Sequence, residues 1–145
     1  MKKFLILFFL VSSAICIIQA QTAKLSFLNG EKQSGDTLRV GLIAENITNV
    51  GAISLKILYD KEKSEYIGLE NGILDFLSNS NDSVITIGWF DMTAKNPVNL
   101  SNERIFDLVL LQKKSEGRIS FIKSGCEISN SSGEPITVDY VDNPK

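Results

Sequence analysis

The sequence predicts an all-β fold, a nine-stranded antiparallel β-sandwich, on the strength of three observations. Apolar and polar residues alternate with a period of two in segment after segment, which is the signature of strands with one buried face. No window beyond residue 20 keeps apolar residues at helical spacing for long, so no helix is available to cross over between parallel neighbours. Turn-forming clusters also punctuate the chain at short intervals, among them Asn29-Gly30, Gly35-Asp36, Asn71-Gly72, Asn79-Ser80-Asn81-Asp82, Asn96-Pro97 and Asn130-Ser131-Ser132-Gly133.

The elements follow in order. Residues 24–28 place Leu25 and Phe27 on one face, and residues 37–43 do the same with Leu38, Val40 and Leu42. Residues 52–59 give the clearest pattern, with Ile53, Leu55, Ile57 and Tyr59 on one side and Ala52, Ser54, Lys56 and Leu58 on the other. Further strands are expected at residues 64–69, 73–77, 83–90, 104–111, 117–122 and 135–141. Their inward positions, Ile85, Ile87, Trp89, Phe106, Leu108, Leu110, Ile119, Phe121, Ile136, Val138 and Tyr140, join the earlier ones in one core. Nothing marks a repeat, linker or second domain, so residues 21–145 are expected to form a single domain.

The first twenty residues stand apart. Lys2 and Lys3 precede an apolar run from Phe4 to Val11, which resumes after Ser12, Ser13 and Ala14 and ends at Gln19-Ala20. This is the pattern of a secretory signal peptide over residues 1–20, cut after Ala20, and it directs the chain to secretion or the cell surface. The unbroken run is well short of the roughly 18 to 20 residues that a spanning helix needs, so no membrane insertion is expected. Cys16 raises lipidation, but the bulky Ile15 before it speaks against that processing.

Charge and cysteine usage narrow the function classes. Loss of the two signal lysines takes the formal charge from −2 to −4, and a mildly acidic exported domain without a basic run is a poor nucleic-acid binder. Cys126 is left as the one cysteine beyond the signal, so no intrachain disulfide is available and stability must come from a hydrophobic core. A lone thiol of this kind reads as buried and inert.

The chain contains no histidine, which removes Ser-His-Asp and Cys-His nucleophilic machinery and the usual zinc ligands. Paired carboxylates could serve glycoside chemistry, but Asp60, Glu62, Asp75, Asp91 and Asp107 fall at strand ends, in turns or on outward positions, where solvated surface charge is the simpler reading. The Asp-rich loop of helix-loop-helix calcium proteins is missing, which leaves only an ion held by scattered loop oxygens. No enzyme activity, cofactor or metal is expected. A sugar-stacking platform is weakly supported, because the single tryptophan, Trp89, falls inward with Ile85 and Ile87.

The run Gly51-Ala52-Ile53-Ser54-Leu55-Lys56-Ile57-Leu58-Tyr59-Asp60, followed by Tyr66-Ile67 and Asn71-Gly72, resembles the cohesin domain family. So do Ile85-Thr86-Ile87-Gly88-Trp89-Phe90-Asp91, Asn96-Pro97-Val98, Ile105-Phe106-Asp107-Leu108 and Gly117-Arg118-Ile119-Ser120-Phe121. The resemblance spans residues 24–141. It implies jelly-roll topology and a sheet face, built from the third, fifth, sixth and eighth strands, that binds dockerin modules in polysaccharide-degrading assemblies. It also implies that Ala52 and Ser54 stand where the best-known cohesins carry larger polar anchors.

The expected partner-binding positions are thus the outward ones: Ala52, Ser54, Lys56 and Leu58 on the third strand, Thr86, Gly88 and Phe90 on the sixth, and Arg118, Ser120 and Ile122 on the eighth. Leu58, Phe90 and Ile122 are apolar where solvent alone favours polar residues. A dockerin-like protein is the expected partner of a chain that is otherwise monomeric. A polysaccharide bound directly, or a purely structural accessory role, is the alternative.

Overall fold

The computed structural model describes residues 21–32, 35–93, 95–114 and 117–142; the expected signal peptide and its cleavage junction at Ala20 fall outside them. Among the described residues, twelve strands form two sheets of six. They are β1 (Lys24–Phe27), β2 (Glu31–Lys32), β3 (Thr37–Glu45), β4 (Ile47–Tyr59), β5 (Ser64–Glu70), β6 (Leu77–Asn81), β7 (Val84–Phe90), β8 (Val98–Leu100), β9 (Glu103–Gln112), β10 (Ile119–Phe121), β11 (Glu127–Asn130) and β12 (Asp139–Val141). One sheet runs β12-β1-β3-β9-β5 with β2 on β3; the other runs β10-β4-β7-β6, with β8 and β11 also on β4.

The all-β sandwich is as expected, with differences of detail, the first being that the strand expected at residues 135–141 forms only over Asp139–Val141. Twelve strands replace nine, because β2, β8 and β11 are too short for alternation to reveal. Residues 73–76 are not a strand: the pairing begins only at Leu77, and Asn79, Ser80 and Asn81 belong to β6 instead of a turn. The polar sequence of β6 hid it, since an edge strand exposed on its outer side needs no apolar alternation. Lastly, one pair is parallel, β1 with β12.

The core lies between the sheets. Phe106, Leu42, Leu55, Ile57, Ile85, Ile87 and Leu108 are fully buried there. Trp89, Ile136, Val138 and Tyr140 are only partly buried and pack against its margin. Aromatic pairs close two edges: Phe27 stacks on Phe121 with centroids 4.4 Å apart, and Phe76 meets Phe106 edge-on at 5.0 Å.

Asparagine and aspartate set several of the corners. Asn46, Asn49, Asn71, Asp82 and Asn102 all have positive φ, a region that these short polar side chains tolerate better than other non-glycine residues. Asn46 joins β3 to β4 and so carries the chain from one sheet to the other.

The acid expected to be solvated at position 107 is instead 1% exposed. Asp107 lies on the outer side of the β3-β9-β5 sheet, where Arg104 pairs with it and the Asn71 Nδ2 donates to it at 2.7 Å. Arg39 and Glu70, 2.7 Å apart, lie in the same shallow hollow. A buried carboxylate is tolerable only with such partners.

Candidate interaction face

The opposite sheet carries a concave outer face, and β4 positions it. Strict alternation along β4 buries Ile53, Leu55, Ile57 and Tyr59 and turns Ser54, Lys56 and Leu58 to solvent. Directly paired antiparallel residues project from the same face, so the register extends this into rows. Leu77, Gly88, Ser54 and Glu127 form one row across β6, β7, β4 and β11. Phe90, Ala52 and Ser129 form the next. On the other side of the first row come Asn79, Thr86 and Lys56, then Asn81, Val84, Leu58 and Ser120.

The first two rows floor a hollow of about 820 Å³. Its base is made of small residues, Ala52, Ser54 and Gly88, and its walls rise on Leu77 and Asp75 at one side and on residues 124–127 at the other. Leu77 is 73% exposed, Phe90 59% and Met92 86%, so three large apolar side chains stand in solvent around one depression.

Local hydrogen bonds fix the walls. The Lys56 amide donates to Cys126 Sγ at 3.4 Å, and the Ile122 amide donates to the Lys56 carbonyl at 2.8 Å. A 3-10 turn, Lys123–Gly125, links β10 to β11, and a Cβ on Gly125 would lie 2.7 Å from Lys56 Cδ, so the lysine stem lies across this turn. Half-burial pushes the Cys126 thiol up in pKa, which disfavours the reactive thiolate. On the far side Asp91 organises the loop after β7. Its carboxylate accepts from the Asn96 amide at 2.7 Å and from the Thr93 amide and hydroxyl at 2.9 and 2.8 Å, and these bonds, the Asn96 amide foremost, hold it below its ordinary pKa.

Five of the ten sequence-predicted positions line the hollow: Ala52, Ser54, Lys56, Gly88 and Phe90. Leu58, Thr86 and Ser120 lie on the same sheet face but beyond it. Arg118 is exposed just before β10, whereas Ile122, just after it, is partly buried. Sequence reasoning missed Asp75, Leu77, Met92, Cys126 and Glu127. The exposed apolar residues at 77 and 92, beside turn-rich segments, were the available signal.

A two-sheet sandwich that leaves small residues at the base of an apolar-rimmed depression has the anatomy of a protein-recognition module. The sequence model of the cohesin domain matches residues 23–143, and the chain belongs to the cohesin domain family. A non-cellulosomal cohesin from the hyperthermophilic archaeon Archaeoglobus fulgidus is 18% identical with a TM-score of 0.68, over 83% of this chain and 87% of that one. The solution structure of CaCohA2 from Clostridium acetobutylicum is 21% identical, TM-score 0.70, over 84% and 87%. A type I cohesin–dockerin complex of OlpA from Clostridium thermocellum gives 18%, 0.71, 83% and 95%. At these identities the structures establish a shared fold. No curated protein matches the chain. Among the described residues no helix is long and apolar enough to cross a membrane.

Proposed function

We propose that this chain is a secreted, non-catalytic cohesin that binds a dockerin-type module through the concave outer face of the β6-β7-β4-β11 sheet, as a monomeric adaptor in a polysaccharide-degrading system. The observation that carries this reading is the hollow itself, with Leu77, Phe90 and Met92 exposed around a base of Ala52, Ser54 and Gly88. Solved relatives of the same fold include complexes with dockerins. The N-terminal charged and apolar pattern supports export, and the lack of histidine supports a non-catalytic role. Direct glycan binding is less well supported, because Phe90 is the one exposed aromatic side chain among the described residues and Trp89, which also lines the hollow, is partly buried against the core.

Calorimetric titration with the dockerin modules encoded in the source genome tests the reading. Central apolar anchors cost about 2 kcal/mol or more on truncation, so Leu77→Ala and Phe90→Ala should each weaken binding by more than about tenfold. Both side chains project into solvent, and thermal stability should be kept. Full binding in both variants, with loss on changing Asn130 or Asn96 instead, would overturn the sheet-face assignment.

A further inference from the structure

Most glycines in this fold have a steric or conformational reason to be glycine, and Gly88 has neither. A Cβ at Gly30, Gly41, Gly51 or Gly125 would come within 2.5 to 2.7 Å of a neighbouring atom, and at Gly72 or Gly117 within 3.0 Å. Gly35 and Gly133 have positive φ. Gly68 sits at the bulge where β5 shifts register against β9. Gly88 lies inside a regular stretch of β7, paired with Ser54 on one side and Leu77 on the other, with no register break. An added Cβ there would meet only the Ile53 carbonyl oxygen, at 3.9 Å. Glycine in a strand interior weakens the strand, and it often marks a place where something else approaches closely.

Gly88 is also the gap at the centre of the Leu77–Gly88–Ser54–Glu127 row. That row spans three strand spacings, about 14 Å, which admits one α-helix of about 10–12 Å diameter. Two carboxylates, Asp75 and Glu127, stand on opposite walls of the hollow, and neither is in an ion pair with a described residue. Lys56 lies two residues along β4 from Ser54, its stem laid over Gly125.

We propose that Gly88 is a specificity-determining hole that receives one large apolar side chain from a single helix of the dockerin-type partner, with lysine or arginine on that helix facing Asp75 and Glu127. This rests on the dockerin reading and names the chemistry of the contacting segment. The hole supplies shape selection, because filling it leaves the partner's side chain no space, and the carboxylates supply charge complementarity and steering.

The test uses a displayed library built on the dockerin of the Clostridium thermocellum OlpA complex, with its helix surface positions randomised. Selection on the wild-type protein should return binders that share one Leu, Ile, Met or Phe flanked by Lys or Arg. Gly88→Val, which suits a strand and has open space, should melt like wild type and bind those clones more than tenfold more weakly. Selection on that variant should return Ala, Ser or Gly at the shared position. Asp75→Asn with Glu127→Gln should slow association several-fold and flatten its salt dependence. Equal binding by Gly88→Val, or no common large apolar residue among wild-type binders, overturns the hole and leaves the dockerin reading standing. Charge variants that match wild type overturn the cationic flanks. A library that yields no wild-type binder overturns the dockerin reading and the hole with it.

Discussion

Phe90, Leu77 and Met92 reach solvent for separate local reasons. Alternation alone turns Phe90 outward, whereas Leu77 opens an edge strand whose residues are all exposed. Met92 lies in the loop that Asp91 ties together. That carboxylate's depressed pKa carries a definite pH dependence: the stabilisation is present above the ordinary value of 3.8 and is lost as pH falls through the lower folded value. Hydrogen exchange should therefore find the Thr93 and Asn96 amides protected from neutral pH down to 3.8, with protection falling only below it. Early loss near pH 6 would show that something other than Asp91 holds this loop.

At the scale of elements, β4 organises the molecule. Its 13 residues pair with β7, β8, β10 and β11, so the β11 wall of the hollow is held by it directly and the β6 wall through β7. The β11 wall depends on a close approach, because a Cβ on Gly51 would lie 2.7 Å from the Asn130 carbonyl oxygen and 2.8 Å from Ser131 Cα. Both are backbone atoms and cannot swing away. Gly51→Ala should thus cost about 1–3 kcal/mol, as overpacking does, and should lower amide protection in Glu127–Asn130 first. A variant with wild-type melting and intact β11 protection would show that the segment yields more readily than its contacts imply. Bulges act on a similar scale. The register of β9 against β3 skips Ile105, which lets Ile105 and Phe106 both be buried.

For the whole molecule, stability rests on one apolar core, with no disulfide among the described residues. Cys126 is the one free cysteine among the described residues, and melting of a protein that spans residues 21–145 should be the same with and without reductant. The alkaline limit should show Tyr140, whose phenol burial pushes up to about 12, with smaller contributions from Cys126 and Glu127. Since the folded value is raised, this group's contribution is complete below its ordinary value of 10.0 and is lost as pH rises through about 12. Denaturant titrations across that range should show a decline that Tyr140→Phe reduces; an equal decline in the variant would assign it to other groups.

The sequence by itself determined the sandwich, because period-two alternation in segments such as 52–59 and 83–90 leaves one face apolar, and an apolar face must be covered. It also determined which side of β4 and β7 faces solvent, so alternation alone places Ala52, Ser54, Lys56, Gly88 and Phe90 on the outer face. The hollow was a matter of tertiary structure. Leu77 and Asp75 come to it because the polar β6 pairs beside β7, and Cys126 and Glu127 because the chain returns to β4 far along the sequence, with Cys126 70 positions from its partner Lys56. Such pairings are carried by backbone hydrogen bonds, which every residue offers alike. Alternation therefore reports which face is buried, and only the folded register decides which distant strands share it.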